Sequence, residues 1–191
     1  MMCLHPKRIV IVGSAGIGKT TLAEHIKDKL HIGFIPEQAR VICKTLGYKS
    51  IYEIKDPNHF RILVLKKQIK LEEKLKSFLT DRGTIDCWIH WLRWSAGRAM
   101  SHETENYFNT AYGQALKYSH IIYIPYSLGS SIKSNDGFRW NNEDYQKQID
   151  RLFKQTLLEW GLMNRTYIVK SKKLKDRIKE VLDYLISTEK V

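Results

Sequence analysis

The chain has 191 residues, enough for one domain with a sizeable core, and a hydrophobic share of 43% excludes an intrinsically disordered polymer. No apolar run approaches the ~20 residues that span a bilayer, and no secretory core precedes the first strand, so a cytoplasmic protein is expected. The net charge of +12 suits anionic partners, whereas Cys3, Cys43 and Cys87 lack any C-x-x-C spacing and read as free thiols, without a zinc site or disulfide framework.

The first element is the apolar run Ile9-Val10-Ile11-Val12 within a strand at 8–12. It leads directly into Gly13-Ser14-Ala15-Gly16-Ile17-Gly18-Lys19-Thr20, a complete G-x-x-x-x-G-K-[ST] phosphate-binding loop. Leu22, Ala23, Ile26 and Leu30 then recur at the spacing of one helix face. In such a strand–loop–helix setting the glycines let backbone N–H groups wrap a phosphate, and the helix N-terminus adds positive potential. Lys19 is expected to reach the β- and γ-phosphates and the Thr20 hydroxyl to ligate Mg²⁺, with Thr21 completing the cradle. The chain is therefore read as a nucleoside triphosphate binder using ATP and Mg²⁺.

The second strand, 33–35, ends in Pro36-Glu37-Gln38-Ala39-Arg40. Proline stops the strand and leaves Glu37 beside the γ-phosphate end of the site, where a carboxylate can take a proton from an attacking hydroxyl or bind sugar hydroxyls. Its plainer reading is a first-turn residue favoured by the helix dipole, with Arg40 as its i,i+3 partner. A helix over 59–76 carries Ile62, Leu65 and Ile69 on one side. The third strand, 77–81, ends in Asp81-Arg82-Gly83. A carboxylate there meets the need of Mg²⁺ for one or two acidic ligands, and Arg82 is a bidentate donor for phosphate or carboxylate.

The stretch 85–94 holds Trp88, Trp91 and Trp94, which can stack on a ring ligand or simply pack the core. His90 within it reads as a helix residue of no catalytic role. Strands at 120–124 and 166–170 and helices at 143–160 and 174–187 complete the alternation of βα units, which predicts a parallel sheet covered on both faces. The Ser/Gly-rich loop from Ser127 to Gly137 reads as a lid segment over about 127–141, bringing Arg139 toward a transferring phosphoryl group. One domain, 1–191, with one flap is expected.

These motifs together resemble the P-loop kinases of the nicotinamide-riboside and deoxynucleoside kinase type, and in particular the AAA_28 or NadR-like group. The resemblance rests on Gly13 to Thr20, on Pro36 to Arg40, on Asp81-Arg82-Gly83-Thr84-Ile85-Asp86, and on Asp136-Gly137-Phe138-Arg139. It implies an α/β three-layer sandwich with a five-stranded parallel sheet, ATP with Mg²⁺, and phosphoryl transfer to a small hydroxyl-bearing acceptor. By that similarity Glu37 or Asp81 is the base, Arg82 a phosphate or acceptor contact, and Arg139 the lid arginine. Two other readings stay open: a regulatory NTP-binding module, favoured by a solvent-facing Glu37, and a polynucleotide 5′-kinase or nucleic-acid-associated ATPase. The latter requires the basic runs around Lys66–Lys76 and Lys170–Lys179 to form one stripe leading to the phosphate loop. No N-K-x-D motif suggests a GTPase, and the length is short for a AAA+ motor with its extra helical domain.

Overall fold

The structure, a computed structural model, describes residues 6–129 and 142–188. Its five strands, β1 (Arg8–Val12), β2 (Gly33–Ile35), β3 (Phe78–Asp81), β4 (His120–Tyr123) and β5 (Thr166–Ile168), form one sheet in the order β2-β3-β1-β4-β5. All pairings are parallel, with Ile9 opposite Leu79 on one side and His120 on the other. Each strand lies where the apolar runs predict it, within two residues at either end.

Alternation along the strands divides the core. Ile9, Ile11, Leu79 and Ile122 face one side, where α1 (Lys19–Leu30) and α7 (Leu174–Ser187) pack through Leu22, Ile26, Val181 and Leu185. Val10, Val12, Phe78, Ile121 and Tyr123 face the other, against α3 (Pro57–Lys74), α4 (Thr84–Trp94), α5 (Ser101–Ala115) and α6 (Glu143–Glu159). The short α2 (Gln38–Thr45) contacts α3 on that side. The predicted three-layer sandwich is thus the observed one. Caps agree with local chemistry: Asp56 accepts the His59 N–H at 2.9 Å with Pro57 opening α3, and Asn142 accepts the Tyr145 N–H at 2.8 Å at the start of α6.

Several sequence expectations are reshaped. The sequence patterns do not announce the helix α5; its buried positions are Tyr107, Ala111, Gln114 and Ala115, three of the four small or polar, so the apolar stripe is faint. Trp91 is fully buried and stacks on Tyr107 at 4.2 Å between ring centroids, while Trp88 joins a cluster with Phe108 and Trp160. Leu92, four positions from Trp88 and next to Trp91, is exposed. The two basic runs sit on opposite layers of the sheet, Lys66, Lys67, Lys70 and Lys74 on the outside of α3 and the second run around α7, so they make no single stripe. Arg177 of that second run is buried. Most of the expected lid segment 127–141, Arg139 included, lies outside the described residues, as does Cys3. Cys43 and Cys87 are free and buried. Among the described residues no helix is long and apolar enough to cross a membrane.

Candidate functional site

β1 lies at the centre of the sheet, between β3 and β4, so the turn after it opens at the carboxyl ends of the strands, where such sheets bind ligands. The turn demands glycine. Gly13 has φ 138°, and a Cβ there would stand 2.5 Å from the Ile124 carbonyl oxygen. Ser14 is fully buried, and its carbonyl accepts from the Lys19 amino group at 2.5 Å. The Ile17 side chain belongs to the core, while its carbonyl accepts from Arg177 Nη1 at 2.7 Å; Arg177 also donates to the carbonyls of Ser171 and Leu128. Gly16 and Gly18 also take positive φ. Ala15 offers its N–H to Gln146 Oε1 of α6 at 2.9 Å. Thr20 and Thr21 are exposed on the first turn of α1.

The register of β1 against β3 sets Ile11 opposite Asp81 and so brings Asp81 to the loop. Thr20 Oγ1 donates to Asp81 Oδ2 at 2.5 Å, and Asp81 Oδ1 is buried with no hydrogen-bond partner. A hydroxyl and a carboxylate with a spare oxygen, side by side at the helix start, form a donor set that suits Mg²⁺. Burial raises the Asp81 carboxyl above its ordinary range against the pull of Lys19 and Arg82.

Arg82 follows with φ 71°, a left-handed backbone that a non-glycine residue adopts only when held there. It is held on both sides. Its N–H donates to the Ile11 carbonyl at 3.1 Å, and its own carbonyl accepts from Thr80 Oγ1 at 2.6 Å and from Gln68 Nε2. Gln68 in turn donates to Glu72, which also accepts from Tyr118 and Gln114, each at 2.7 Å. This buried network aims the guanidinium between two acids. Arg82 Nη1 donates to Asp86 Oδ1 at 3.0 Å, and Nε lies 3.0 Å from Glu37 Oε1 as an ion pair without hydrogen-bond alignment. Glu37 also stands 3.6 Å from Arg40 Nε, its i,i+3 neighbour. The Glu37 side chain is 21% exposed and lines the cleft below, so it is not a solvent-facing cap.

The electrostatics are those of crowded, partly dry charges. Burial, then Arg82, lowers the Lys19 amine to about 7 against the opposing Asp86, Asp81 and Glu37. Burial raises the Asp86 carboxyl to about 6, opposed by Arg82 and Lys19. His90 is held well below its ordinary value by burial and then by Arg61, Arg82 and Lys19, so its imidazole is neutral.

A cleft opens beside the loop between α2, α3, α4 and α6. Ala15, Glu37, Arg82 and Asp86 line its inner end, and Phe60, Arg61, His90, Trp94, Tyr107, Tyr145 and Gln146 its walls. A second cavity shares Ile51, Phe60, Arg61 and Trp94 with it and extends to Tyr52, Ile54, Pro57 and Arg98. Lys19, Thr20, Asp81, Arg82 and Glu37, singled out in the sequence, therefore converge on one place. Trp94 is the one of the three tryptophans in the cleft; its Nε1 donates to the Tyr145 hydroxyl at 3.0 Å. Asp86, Arg61 and Gln146 were not picked out as site residues. Asp86 carried a signal, the i,i+4 spacing from Arg82 at a helix start; Arg61 and Gln146, single polar residues inside long helices, carried none.

The family model AAA_28, described as an AAA domain, matches residues 8–177. No curated protein matches the sequence. Among solved structures, the NadR protein in complex with NR superposes with TM-score 0.76 at 16% identity, covering 98% of this chain and 50% of that one. The chain thus spans about half the length of the NadR structures it matches. Deoxyadenosine kinase from M. mycoides gives 0.69 at 19% identity over 94% of this chain and 98% of that one. Thymidylate kinase from Candida albicans gives 0.64 at 15% identity over 97% and 93%. At these identities the likeness is one of fold, the α/β fold of P-loop kinases.

Proposed function

The chain belongs to the AAA_28 family of AAA domains, and from that premise we propose that it is an ATP-dependent kinase that phosphorylates a hydroxyl-bearing small molecule bound in the cleft. The observation that carries this reading is the continuity of that cleft with the phosphate loop: Ala15 of the loop, Glu37 and Arg82 line one cavity with Phe60, Trp94 and Tyr145. A hydrolase needs only a water site at the γ-phosphate. A walled aromatic cleft at that point suits an organic acceptor.

In the proposed reaction, loop N–H groups between Gly13 and Lys19 cradle the ATP phosphates, and Lys19 leaves the Ser14 carbonyl for the β- and γ-oxygens. Thr20 and Asp81 would hold Mg²⁺, which would supply positive charge to neutralise the phosphate oxygens. Glu37 accepts the proton of the acceptor hydroxyl as its oxygen bonds to the γ-phosphorus and the bond to the departing ADP breaks. Arg82, fixed by Asp86 and the Gln68–Glu72 network, meets the charge on the transferring group. The neighbours named for nucleoside and nucleotide substrates support the class of reaction.

The test is ADP formation from ATP with nucleosides, nicotinamide riboside and nucleoside monophosphates offered singly, in wild type and Lys19→Ala. Acceptor-dependent ADP release that Lys19→Ala abolishes, in a variant of unchanged melting temperature, supports the reading. Release independent of every acceptor, or undiminished in Lys19→Ala, overturns it.

A further inference from the structure

Arg61 of α3 stands at the junction of the cleft and its outer cavity, lining both. Its Nε is buried with no hydrogen-bond partner, and its guanidinium makes no ion pair among the described residues. The Phe60 ring lies 5.5 Å from Cζ, and the Tyr107 hydroxyl donates to the Arg61 carbonyl, which anchors the backbone but leaves the charge unanswered. The outer cavity adds Arg98, also without an ion pair among the described residues, and its lining holds no Asp or Glu. Arg61 is half-buried, and a cation drawn even partly out of water without an anionic partner carries a cost that an anionic ligand would relieve. The contrast with Arg82 is direct: that guanidinium, at the inner end, is already matched by Glu37 and Asp86.

The field in the cleft agrees. His90, on the same wall, has an unpartnered buried Nδ1 and is kept neutral by burial together with Arg61, Arg82 and Lys19. The acids of the cleft, Glu37 and Asp86, do not line the outer cavity, where Arg61 and Arg98 are the charged residues.

We propose that the acceptor carries a carboxylate or phosphate group, separate from its reacting hydroxyl, which Arg61 binds at the outer end of the cleft. Phe60 and Trp94 flank that position and offer ring faces to the acceptor's body. The hydroxyl then points inward to Glu37 and the anion outward to Arg61, so a single orientation is favoured. This rests on the cleft being the acceptor site. It sets the acceptor apart from neutral nucleosides, for which the Arg61 charge would stay unpaired.

The experiment reads binding, apart from turnover. The protein is saturated with Mg²⁺ and AMP-PNP, so that the phosphate loop is filled, and titrated by calorimetry with benzyl alcohol, benzoate and phenyl phosphate. At least one anion should bind about tenfold or more tightly than the neutral probe. In Arg61→Gln that advantage should fall below about threefold, and Arg61→Lys should retain part of it. Benzoate as the tighter anion indicates a carboxylate-bearing acceptor, phenyl phosphate a phosphate-bearing one. Equal affinities for the three probes, no binding of either anion, or an advantage that survives Arg61→Gln overturns the proposal. AMP-PNP binding and the melting temperature of each variant are measured first. If AMP-PNP fails to bind, the kinase reading falls; the benzoate comparison in nucleotide-free protein still decides the anion site.

Discussion

Gln146 and Ala15, 131 positions apart, are joined by a 2.9 Å hydrogen bond from the loop amide to the side-chain oxygen. The same Gln146 lines the cleft. One side chain thus ties the helix that walls the acceptor space to the loop that would hold the phosphates, which sets the distance between two reactants.

Gln146→Leu keeps the volume and removes that tie. A single neutral hydrogen bond contributes about 1 kcal/mol, so melting should shift by only a few degrees. Transfer should fall about tenfold, because small errors in placement cost rate, while AMP-PNP affinity changes less than threefold. A loss confined to nucleotide affinity would show that Gln146 serves the loop only.

Lys19 gives a pH signature. Its amine is lowered from 10.5 to about 7, so between those values the unfolded chain binds more protons than the folded one, and stability rises with pH across that window. Melting curves from pH 7 to 9.5 should show this slope in wild type and a flatter one in Lys19→Met. Nucleotide phosphates restore the ammonium, so AMP-PNP binding at pH 8 should take up close to one proton. Calorimetry in buffers of unequal ionisation enthalpy reads that uptake, and zero uptake would contradict the assignment.

Asp81→Asn should leave the fold intact, since burial disfavours the charged carboxylate and an amide still accepts from Thr20. Mg²⁺-dependent transfer should drop by roughly 10²-fold or more as the anionic ligand is lost. AMP-PNP affinity measured without metal should stay within threefold. If added Mg²⁺ strengthens AMP-PNP binding equally in both proteins, the Thr20–Asp81 pair is not the metal site.

Glu37→Gln tests the base. A positioned general base contributes roughly 10²–10⁴-fold, so turnover should fall within that range at nearly unchanged AMP-PNP affinity. A change of less than about threefold, with a working acceptor, would return Glu37 to a helix-start residue paired with Arg40.

What was legible in the sequence follows from how locally each feature is encoded. The strands are short apolar runs bounded by turns, and the phosphate loop is one contiguous motif, so both could be read in place. Glu37, Asp81 and Arg82 were found because strand ends in a parallel sheet converge, a rule that needs no contact information. Arg61, Asp86 and Gln146 reach the cleft through the packing of α3, α4 and α6, which no local pattern encodes. On α3 the expected stripe of Ile62, Leu65 and Ile69 packs against the core, and the buried face also takes in Gln68 and Glu72. Those polar residues are interior because Thr80, Gln114, Tyr118 and the Arg82 carbonyl lie within reach of them. The positive φ of Arg82 likewise left no trace in its residue type.

Arg177 closes the phosphate loop from 160 positions downstream, and β1 gains its β4 neighbour only after residue 120. Synthesis runs at about 5–20 residues per second, so several seconds separate residues 13–20 from Arg177 on the ribosome. A nascent chain that ends before α7 lacks the Arg177 hydrogen bond to the Ile17 carbonyl, one of the contacts that hold the loop.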